Sequence, residues 1–162
     1  MGRFIVIEGL DGSGKTTQGK LLAERLRKEG KRVRELSFPC YGEKSASLVE
    51  MYLGGELGSS PSDTNGYAAS MLYAADRYIS YVTDWKKDVL DEDCIVLATR
   101  YTTANAYHQL SKLPREEWEG FLSWLYDFEF TKIGLPRPDC VVLLAMNQEI
   151  SSSNVKSRSA ET

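Results

Sequence analysis

The feature that most constrains the fold is a glycine-rich stretch near the amino terminus, GLDGSGKT at residues 9–16. It fits the pattern GxxxxGK[ST], follows the apolar run Arg3 to Glu8 and precedes leucines at helical spacing. In a strand, glycine-rich turn and helix of this kind, backbone N–H groups and the positive end of the helix dipole face an anion. The stretch therefore predicts a phosphate-binding loop, or P-loop.

Each residue type in this loop has a chemical role. Lys15 is expected to bridge the outer phosphates of ATP, and the Thr16 hydroxyl is expected to ligate Mg²⁺. Phosphoryl transfer depends mainly on positioning and charge stabilisation, so the rest of the site should supply an acceptor pocket and cationic groups. The residues predicted to hold the ATP phosphates are Gly12, Ser13, Gly14, Lys15, Thr16 and Thr17.

Apolar runs alternate with helical patterns along the chain. Strands are predicted at 3–8, 33–38, 94–98 and 140–146, and helices at 16–29, 45–53, 65–90 and 114–128. This alternation implies an α/β fold with a parallel sheet covered on both faces. In the long third helix, apolar residues at helical spacing predict a face packed against the core: Met71, Leu72, Ala75, Ile79 and Val82.

Length and composition limit the class of protein. A chain of 162 residues fits one domain, predicted as residues 1–162, with a core at 1–146 and the start of a lid or a polar, disordered tail at 147–162. The net charge of −3 gives no general attraction to nucleic acid or acidic membranes, so an anionic ligand must be held by local groups.

Cysteine spacing and hydropathy bear on the compartment. Cys40, Cys94 and Cys140 are too far apart for a chelating pair, and we interpret them as buried thiols. No apolar run approaches the roughly 20 residues of a membrane helix, and the amino terminus lacks the apolar region of a signal peptide. A cytoplasmic protein is the prediction.

Three further segments follow predicted strands or share a helical face. They are Phe38-Pro39-Cys40-Tyr41-Gly42, the pair Tyr73 and Arg77 four residues apart, and Thr99-Arg100-Tyr101 with Asn105. Taken singly, Phe38 and Tyr73 would be core aromatics and Arg77 a solvated charge. Together they offer an aromatic ring to stack on a base, a guanidinium and an amide to read its edge, and an arginine for a phosphate. The combination favours a nucleotide pocket.

These segments resemble the thymidylate kinase family, P-loop enzymes that phosphorylate dTMP to dTDP with ATP and Mg²⁺. The resemblance runs from Arg3 to about Arg158 and rests on IEGLDGSGKTTQ, the FPxYG turn, the YAADR segment and the xRYxxxNA segment. It implies a P-loop NTPase-type fold with three layers, α/β/α, and a homodimer that handles small nucleotides.

The resemblance also implies individual roles. Tyr73 would stack on thymine, Arg77 would bond to the base, and Asn105 would read the base edge. The full set implied to bind dTMP is Phe38, Pro39, Tyr41, Tyr73, Arg77, Arg100, Tyr101 and Asn105. The residues implied to serve catalysis are Asp11 near the reacting groups, Lys15, Arg100 and the lid arginine Arg158.

The sequence departs from the family pattern at strand ends and after the lid. Thr99 stands where the family usually carries an aspartate that helps to hold Mg²⁺ or its waters, and Ala145 stands where family strands tend to read LD. The family also continues past the lid into further elements that this sequence is expected to lack. Two alternatives to a dTMP kinase stay open: a catalytically impaired nucleotide-binding relative, and a kinase for another nucleoside or nucleotide.

Overall fold

The computed structural model describes residues 3–58, 60 and 63–147. Four strands, β1 (Arg3–Gly9), β2 (Arg32–Ser37), β3 (Cys94–Thr99) and β4 (Cys140–Leu144), form one sheet in the order β2-β3-β1-β4. β1 pairs in parallel with β3 and with β4, and the register sets Ile7 opposite Thr99. The predicted parallel sheet with a P-loop kinase-like α/β fold is confirmed.

Within the described residues, six α-helices connect the strands. They are α1 (Lys15–Lys28), α2 (Ser47–Leu53), α3 (Gly66–Ser80), α4 (Lys86–Leu90), α5 (Thr102–Leu110) and α6 (Trp118–Tyr126). Short 3₁₀ turns at Lys44–Ala46 and Arg115–Glu117 lead into α2 and α6. A π-helical stretch at Tyr81–Trp85 joins α3 to α4, and a second one at Asp127–Lys132 continues α6.

The chain divides into two compact units. The first takes its described residues from Met1–Leu36, Asp88–Arg100 and Pro138–Thr162, and the second consists of Ser37–Lys87 and Tyr101–Arg137. The first unit contains the sheet and α1, whereas the second contains α2, α3, α5 and α6. The candidate phosphate-binding residues and the candidate base-reading residues therefore belong to different units.

The core of the first unit lies between the sheet and α1. Ile7, Leu97 and Ala23 are its buried centre, and the half-buried residues Ile5, Leu22, Val33 and Leu144 pack against it. α1 approaches β3 closely at Gly19, where an added Cβ would lie 3.1 Å from Thr99 Cγ2. This packing fixes the start of α1, and with it the glycine-rich loop, against the sheet.

The core of the second unit contains the apolar face of α6. Phe121 and Leu125 are fully buried and pack against Ala106 of α5. A separate aromatic group joins Phe38, Trp85 and Tyr101, with ring centroids 5.7 Å apart for Phe38 and Tyr101. These two groups hold α5 against α6 and against the segments that carry Phe38 and Trp85.

The prediction that the apolar face of the long third helix packs against the core is wrong. Met71, Ile79 and Val82 are 51%, 39% and 44% exposed, whereas Leu72 is buried. Helical spacing identifies an apolar stripe but not the surface that covers it. The buried face of α3 instead carries Asp76 and Arg77, whose charges have partners inside the unit.

The cysteines differ in exposure. Cys94 is buried as expected and Cys40 is half-buried, but Cys140 is exposed, so the interpretation of all three as buried thiols is wrong for Cys140. All three are free thiols. Burial, with the Asp76 carboxylate adding to it, raises the pKa of Cys40 to about 11. No helix within the described part of the chain has the length and apolar character to cross a membrane.

Because the thiolate is the reactive form, exposure and pKa predict which thiol reacts. We expect Ellman's reagent to modify Cys140 at least about tenfold faster than Cys40 or Cys94 in the native protein. The fast phase should disappear in Cys140→Ser. A fast phase of unchanged amplitude in that variant would contradict the burial pattern.

Candidate functional site

Backbone conformations that favour glycine shape the loop between β1 and α1. Gly12 and Gly14 have φ of 80° and 86°, in the left-handed region where other residues are strained. A Cβ on Gly9 would lie 2.6 Å from Ser13 Oγ and 2.9 Å from the Leu144 carbonyl oxygen. The glycines of the pattern are therefore required for this loop to close onto the helix.

The start of α1 is suited to an anion. Its N-cap, Gly14, supplies no side-chain acceptor, and its first turn contains no acidic residue. No negatively charged side chain of the first turn therefore accepts a hydrogen bond from the first backbone N–H groups of the helix. None offsets the positive end of the helix dipole either. Ser13 is buried, and its Oγ has no hydrogen-bond partner in the part of the chain that the structure describes. Thr16 and Thr17 are exposed.

The ammonium group of Lys15 is folded back onto the loop. Its Nζ donates to the carbonyl oxygens of Gly9 and Leu10, both at 2.7 Å, and lies 3.6 Å from Asp11 Oδ1. Burial lowers the pKa of Lys15, and nearby Arg100 adds to this effect, whereas Asp11 and Glu8 oppose it. If a phosphate enters the loop, Lys15 would exchange its two neutral carbonyl partners for charged phosphate oxygens.

Arg100 follows β3 and has a left-handed backbone with φ of 64°, although it is not glycine. Its backbone N–H donates to the Ile7 carbonyl oxygen at 3.0 Å, and its guanidinium pairs with the Asp11 carboxylate. Strained backbone of this kind is concentrated at functional sites. Three of the predicted catalytic residues, Asp11, Lys15 and Arg100, thus come together, while the fourth, Arg158, lies outside the described residues.

The two departures from the family pattern lie at strand ends of the first unit. The Thr99 methyl group faces α1 at Gly19, one helical turn beyond Thr16. A carboxylate at position 99 would thus extend on the side of β3 that carries the phosphate-binding helix. Ala145 is exposed just after β4, and its N–H donates to the Leu143 carbonyl oxygen at 3.1 Å.

In the second unit, two predicted base-reading residues share one buried carboxylate. Arg77 donates to Glu129 through Nε at 2.9 Å and through Nη2 at 2.5 Å. Asn105 Nδ2 donates to Glu129 Oε1 at 3.3 Å, and Thr102 Oγ1 donates to Oε2 at 2.6 Å. Arg77, Asn105 and Glu129 are 2%, 4% and 0% exposed. The alternative of Arg77 as a solvated surface charge is therefore wrong.

Sequence reasoning missed Glu129. The available signal was ambiguous, because two acidic residues, Asp127 and Glu129, alternate with aromatic residues in the run YDFEF at residues 126–130. Helical periodicity alone gives no reason to bury a carboxylate there. The π-helical stretch Asp127–Lys132 contains Glu129, and such stretches are frequent at functional sites.

Phe38, Pro39 and Tyr101 are buried in the second unit. The Tyr101 ring packs against Phe38, the Arg77 guanidinium lies 5.8 Å from the ring centre, and the hydroxyl donates to the Pro136 carbonyl oxygen at 3.1 Å. Burial raises the pKa of Tyr101, so the hydroxyl remains a donor. These residues support the base-reading pair, and their direct contact with dTMP stays a prediction.

The other two predicted aromatics are more open. Tyr73 is half-buried with its ring centre 6.1 Å from that of Tyr52, and Tyr41 is exposed. Tyr41 lies in a turn whose neighbours are tied down, since the Cys40 N–H donates to Asp76 Oδ2 at 2.9 Å. Asp76 Oδ1 accepts from Ser45 Oγ at 2.7 Å. Buried Asp76 thus anchors the turn that carries Tyr41.

The chain is similar in sequence to known proteins. A thymidylate kinase family model matches residues 7–162. A thymidylate kinase of Mycobacterium tuberculosis is 33% identical over 156 residues, covering 96% of this chain and 71% of that protein. A probable thymidylate kinase of Thermococcus gammatolerans is 34% identical over 167 residues, covering 100% of this chain and 74% of that protein. A thymidylate kinase of Caenorhabditis elegans is 28% identical, covering 93% and 66% respectively.

The anchoring of the aromatic turn is testable by stability. Asp76→Ala leaves the Cys40 N–H and the Ser45 hydroxyl without their acceptor, so we expect the free energy of unfolding to fall by about 3 kcal/mol. Urea denaturation measures this loss. Asp93→Ala, on an exposed turn, serves as the control and should change stability by less than about 0.5 kcal/mol. Equal stability of the two variants would contradict the anchoring role of Asp76.

Proposed function

The chain belongs to the thymidylate kinase family, and from this premise we propose that it transfers the γ-phosphoryl group of ATP to dTMP, yielding ADP and dTDP in dTTP biosynthesis. The observation that carries the choice of acceptor is the buried group formed by Arg77 and Asn105 on Glu129. A guanidinium and an amide with fixed orientations suit the edge of a base. The P-loop of the same chain supplies the donor site.

In the proposed donor site, the backbone N–H groups of Gly12 to Thr17 and the Ser13 hydroxyl hold the ATP phosphates. Lys15 leaves the Gly9 and Leu10 carbonyl oxygens and bridges the outer phosphates. Its position 3.6 Å from Asp11 keeps the ammonium at the mouth of the loop. Charge stabilisation by groups that are already oriented is the main catalytic effect available to such a site.

Mg²⁺ fits the oxygen donors of the loop. Thr16 has an exposed hydroxyl at the start of α1, and the Asp11 carboxylate lies in the same loop. Residues 3–58, 60 and 63–147 contain no group of three or more histidine, cysteine or acidic side chains placed to hold a metal ion by themselves. Magnesium typically takes few protein ligands and keeps phosphate oxygens and waters, so this donor set suits it. When bound, the ion neutralises charge between the phosphates.

In the proposed acceptor site, the Arg100 guanidinium leaves the Asp11 carboxylate and pairs with the phosphate of dTMP. Tyr73 stacks on thymine, and Arg77 and Asn105 bond to the base edge. Phe38, Pro39, Tyr41 and Tyr101 border the sugar and the phosphate. The buried positions of Phe38 and Tyr101 give this border a rigid base, and the exposed ring of Tyr41 is free to close over a ligand.

We also propose the extent of the domain, the lid cation, the cellular compartment and the class of partner. Residues 1–162 act as one kinase domain, and Arg158 supplies a lid cation to the transferred phosphoryl group. The protein works in the cytoplasm, which its free thiols support. Its partners are small nucleotides rather than nucleic acid polymers or membranes, in line with the net charge of −3.

The exposed stripe of α3 and the stretch that follows it supports a homodimer. Met71, Ile79 and Val82 recur at helical spacing and are all substantially exposed, with Tyr78 beside them. Contiguous exposed apolar side chains often mark an interface, and a self-complementary patch is what a symmetric dimer needs. We propose that two copies of the chain bury this stripe against each other.

A second candidate function is nucleotide binding with little turnover. Its support is Thr99, which offers a hydroxyl and no charge on the side of β3 that faces α1. Loss of one preorganised electrostatic group costs roughly 10²–10³ in rate in comparable sites. Binding would persist, because the P-loop and the Arg77–Glu129–Asn105 group do not depend on position 99.

Turnover separates the two candidates. We expect coupled ADP release from ATP and Mg²⁺ with dTMP, and much less with dGMP or dCMP. Thr99→Asp should raise kcat at least about tenfold by restoring the carboxylate, while the uncharged control Thr99→Asn should not. Tight dTMP binding by calorimetry with no turnover in either form would favour the binding protein instead.

The dimer is tested by sedimentation velocity. Ile79→Asp places a charge in the proposed interface and should shift the protein from dimer to monomer at micromolar concentration. Leu48→Asp, on the exposed face of α2, introduces the same charge elsewhere and should leave the dimer intact. A native protein that sediments as a monomer would rule out the proposed interface.

A further inference from the structure

The neighbours of the Asn105 amide determine its orientation. Nδ2 lies 3.2 Å from the Ser70 carbonyl oxygen and 3.3 Å from Glu129 Oε1. A carbonyl and a carboxylate both accept hydrogen bonds and donate none, so the NH₂ group must occupy this side of the amide. The oxygen Oδ1 therefore lies on the opposite side. This orientation follows from donor and acceptor chemistry.

The same carboxylate determines which atoms remain available for a ligand. Asn105 Oδ1 is buried and has no hydrogen-bond partner among the described residues. Such an acceptor is costly to bury unless a donor reaches it. On Arg77, Glu129 takes Nε and Nη2, which leaves the donors of Nη1. Glu129 thus fixes one acceptor on Asn105 and one set of donors on Arg77.

This arrangement has a consequence for the choice of base. Thymine and uracil present an N3–H donor beside the O4 acceptor, whereas cytosine presents an N3 acceptor beside an amino donor. An amide oxygen and a guanidinium N–H complement the first pattern and oppose the second. We propose that Glu129 is a positioning residue that makes the acceptor site select thymine or uracil over cytosine, by holding the Asn105 amide in one orientation.

The proposal rests on the proposed function for the identity of the site, but its physical basis is the carboxylate. Glu129 accepts four hydrogen bonds, from Arg77 Nε, Arg77 Nη2, Thr102 Oγ1 and Asn105 Nδ2. A glutamine at this position has one accepting oxygen and one donating NH₂ group. If the NH₂ faces Asn105, that side of the amide meets one donor and one acceptor, the Ser70 carbonyl oxygen, so neither orientation of Asn105 satisfies both and its single orientation is lost.

Glu129→Gln keeps the size and shape of the side chain, so it tests the acceptor chemistry. We expect KM for dTMP and for dUMP to rise in parallel by at least about thirtyfold, with kcat unchanged or lowered by less than about threefold. The kcat/KM for dCMP should fall less than about threefold or rise. The selectivity for dTMP over dCMP should therefore drop at least about tenfold, whereas a general loss of structure would lower all three together.

Two control variants accompany this measurement. Thr102→Val removes one donor to Glu129 but leaves the acceptors that orient Asn105, so the ratio of dTMP to dCMP should stay within about threefold. Glu116→Gln makes the same chemical change on an exposed residue and should leave kcat and KM for all three nucleotides unchanged. An unchanged ratio in Glu129→Gln with native stability would overturn the proposal.

The native chain provides a test that does not require the variant to fold. N3-methyl-dTMP lacks the donor that Asn105 Oδ1 is expected to accept, so it should bind at least about a hundredfold more weakly than dTMP by calorimetry. Binding within about threefold of dTMP would overturn the proposal. Failure of the proposed function is separate, because it would appear as selective dTMP binding without ADP release in the native protein.

Discussion

A carboxylate with no exposed surface needs enough donors to compensate for the water it has lost, and in the second unit this requirement falls on Glu129. Its partners lie on α3 and α5, while Glu129 itself lies in the π-helical stretch after α6. Removal of one partner from a buried pair typically costs about 3–5 kcal/mol, because a charge remains uncompensated. Glu129 therefore links these three segments and contributes to the orientations of Arg77 and Asn105.

The first unit meets the opposite demand, since it must attract an anion in a chain of net charge −3. It does so with local groups. The first turn of α1 contains no acidic residue, and Lys15 and Arg100 both lie beside the Asp11 carboxylate. Lys15 is held by two neutral carbonyl oxygens, and Arg100 is held by the exposed Asp11 carboxylate. A phosphate carries more negative charge than either partner. A chain of net negative charge can therefore still offer a local site for an anion.

Much of this arrangement could be predicted from the sequence because it depends on local pattern. The residue types of the P-loop and the alternation of strands and helices are both recognisable from residues that lie close together in sequence. The role of Glu129 could not be read in this way. Its partners are 52, 27 and 24 residues distant in sequence, and a single acidic residue is ordinarily assigned to the surface. The stripe of Met71, Ile79 and Val82 shows the reverse error, because an apolar face can be covered by a second molecule as well as by the core.

The central claim is that Glu129 presents the Asn105 oxygen to the N3–H of the bound base. The imino proton of dTMP labelled with ¹⁵N at N3 tests this claim directly by NMR. We predict that the native complex shows a hydrogen-bonded imino resonance protected from exchange with water, and that Glu129→Gln loses this protection. An imino proton that exchanges as fast in the native complex as in free dTMP, under conditions where dTMP is fully bound, would contradict the account.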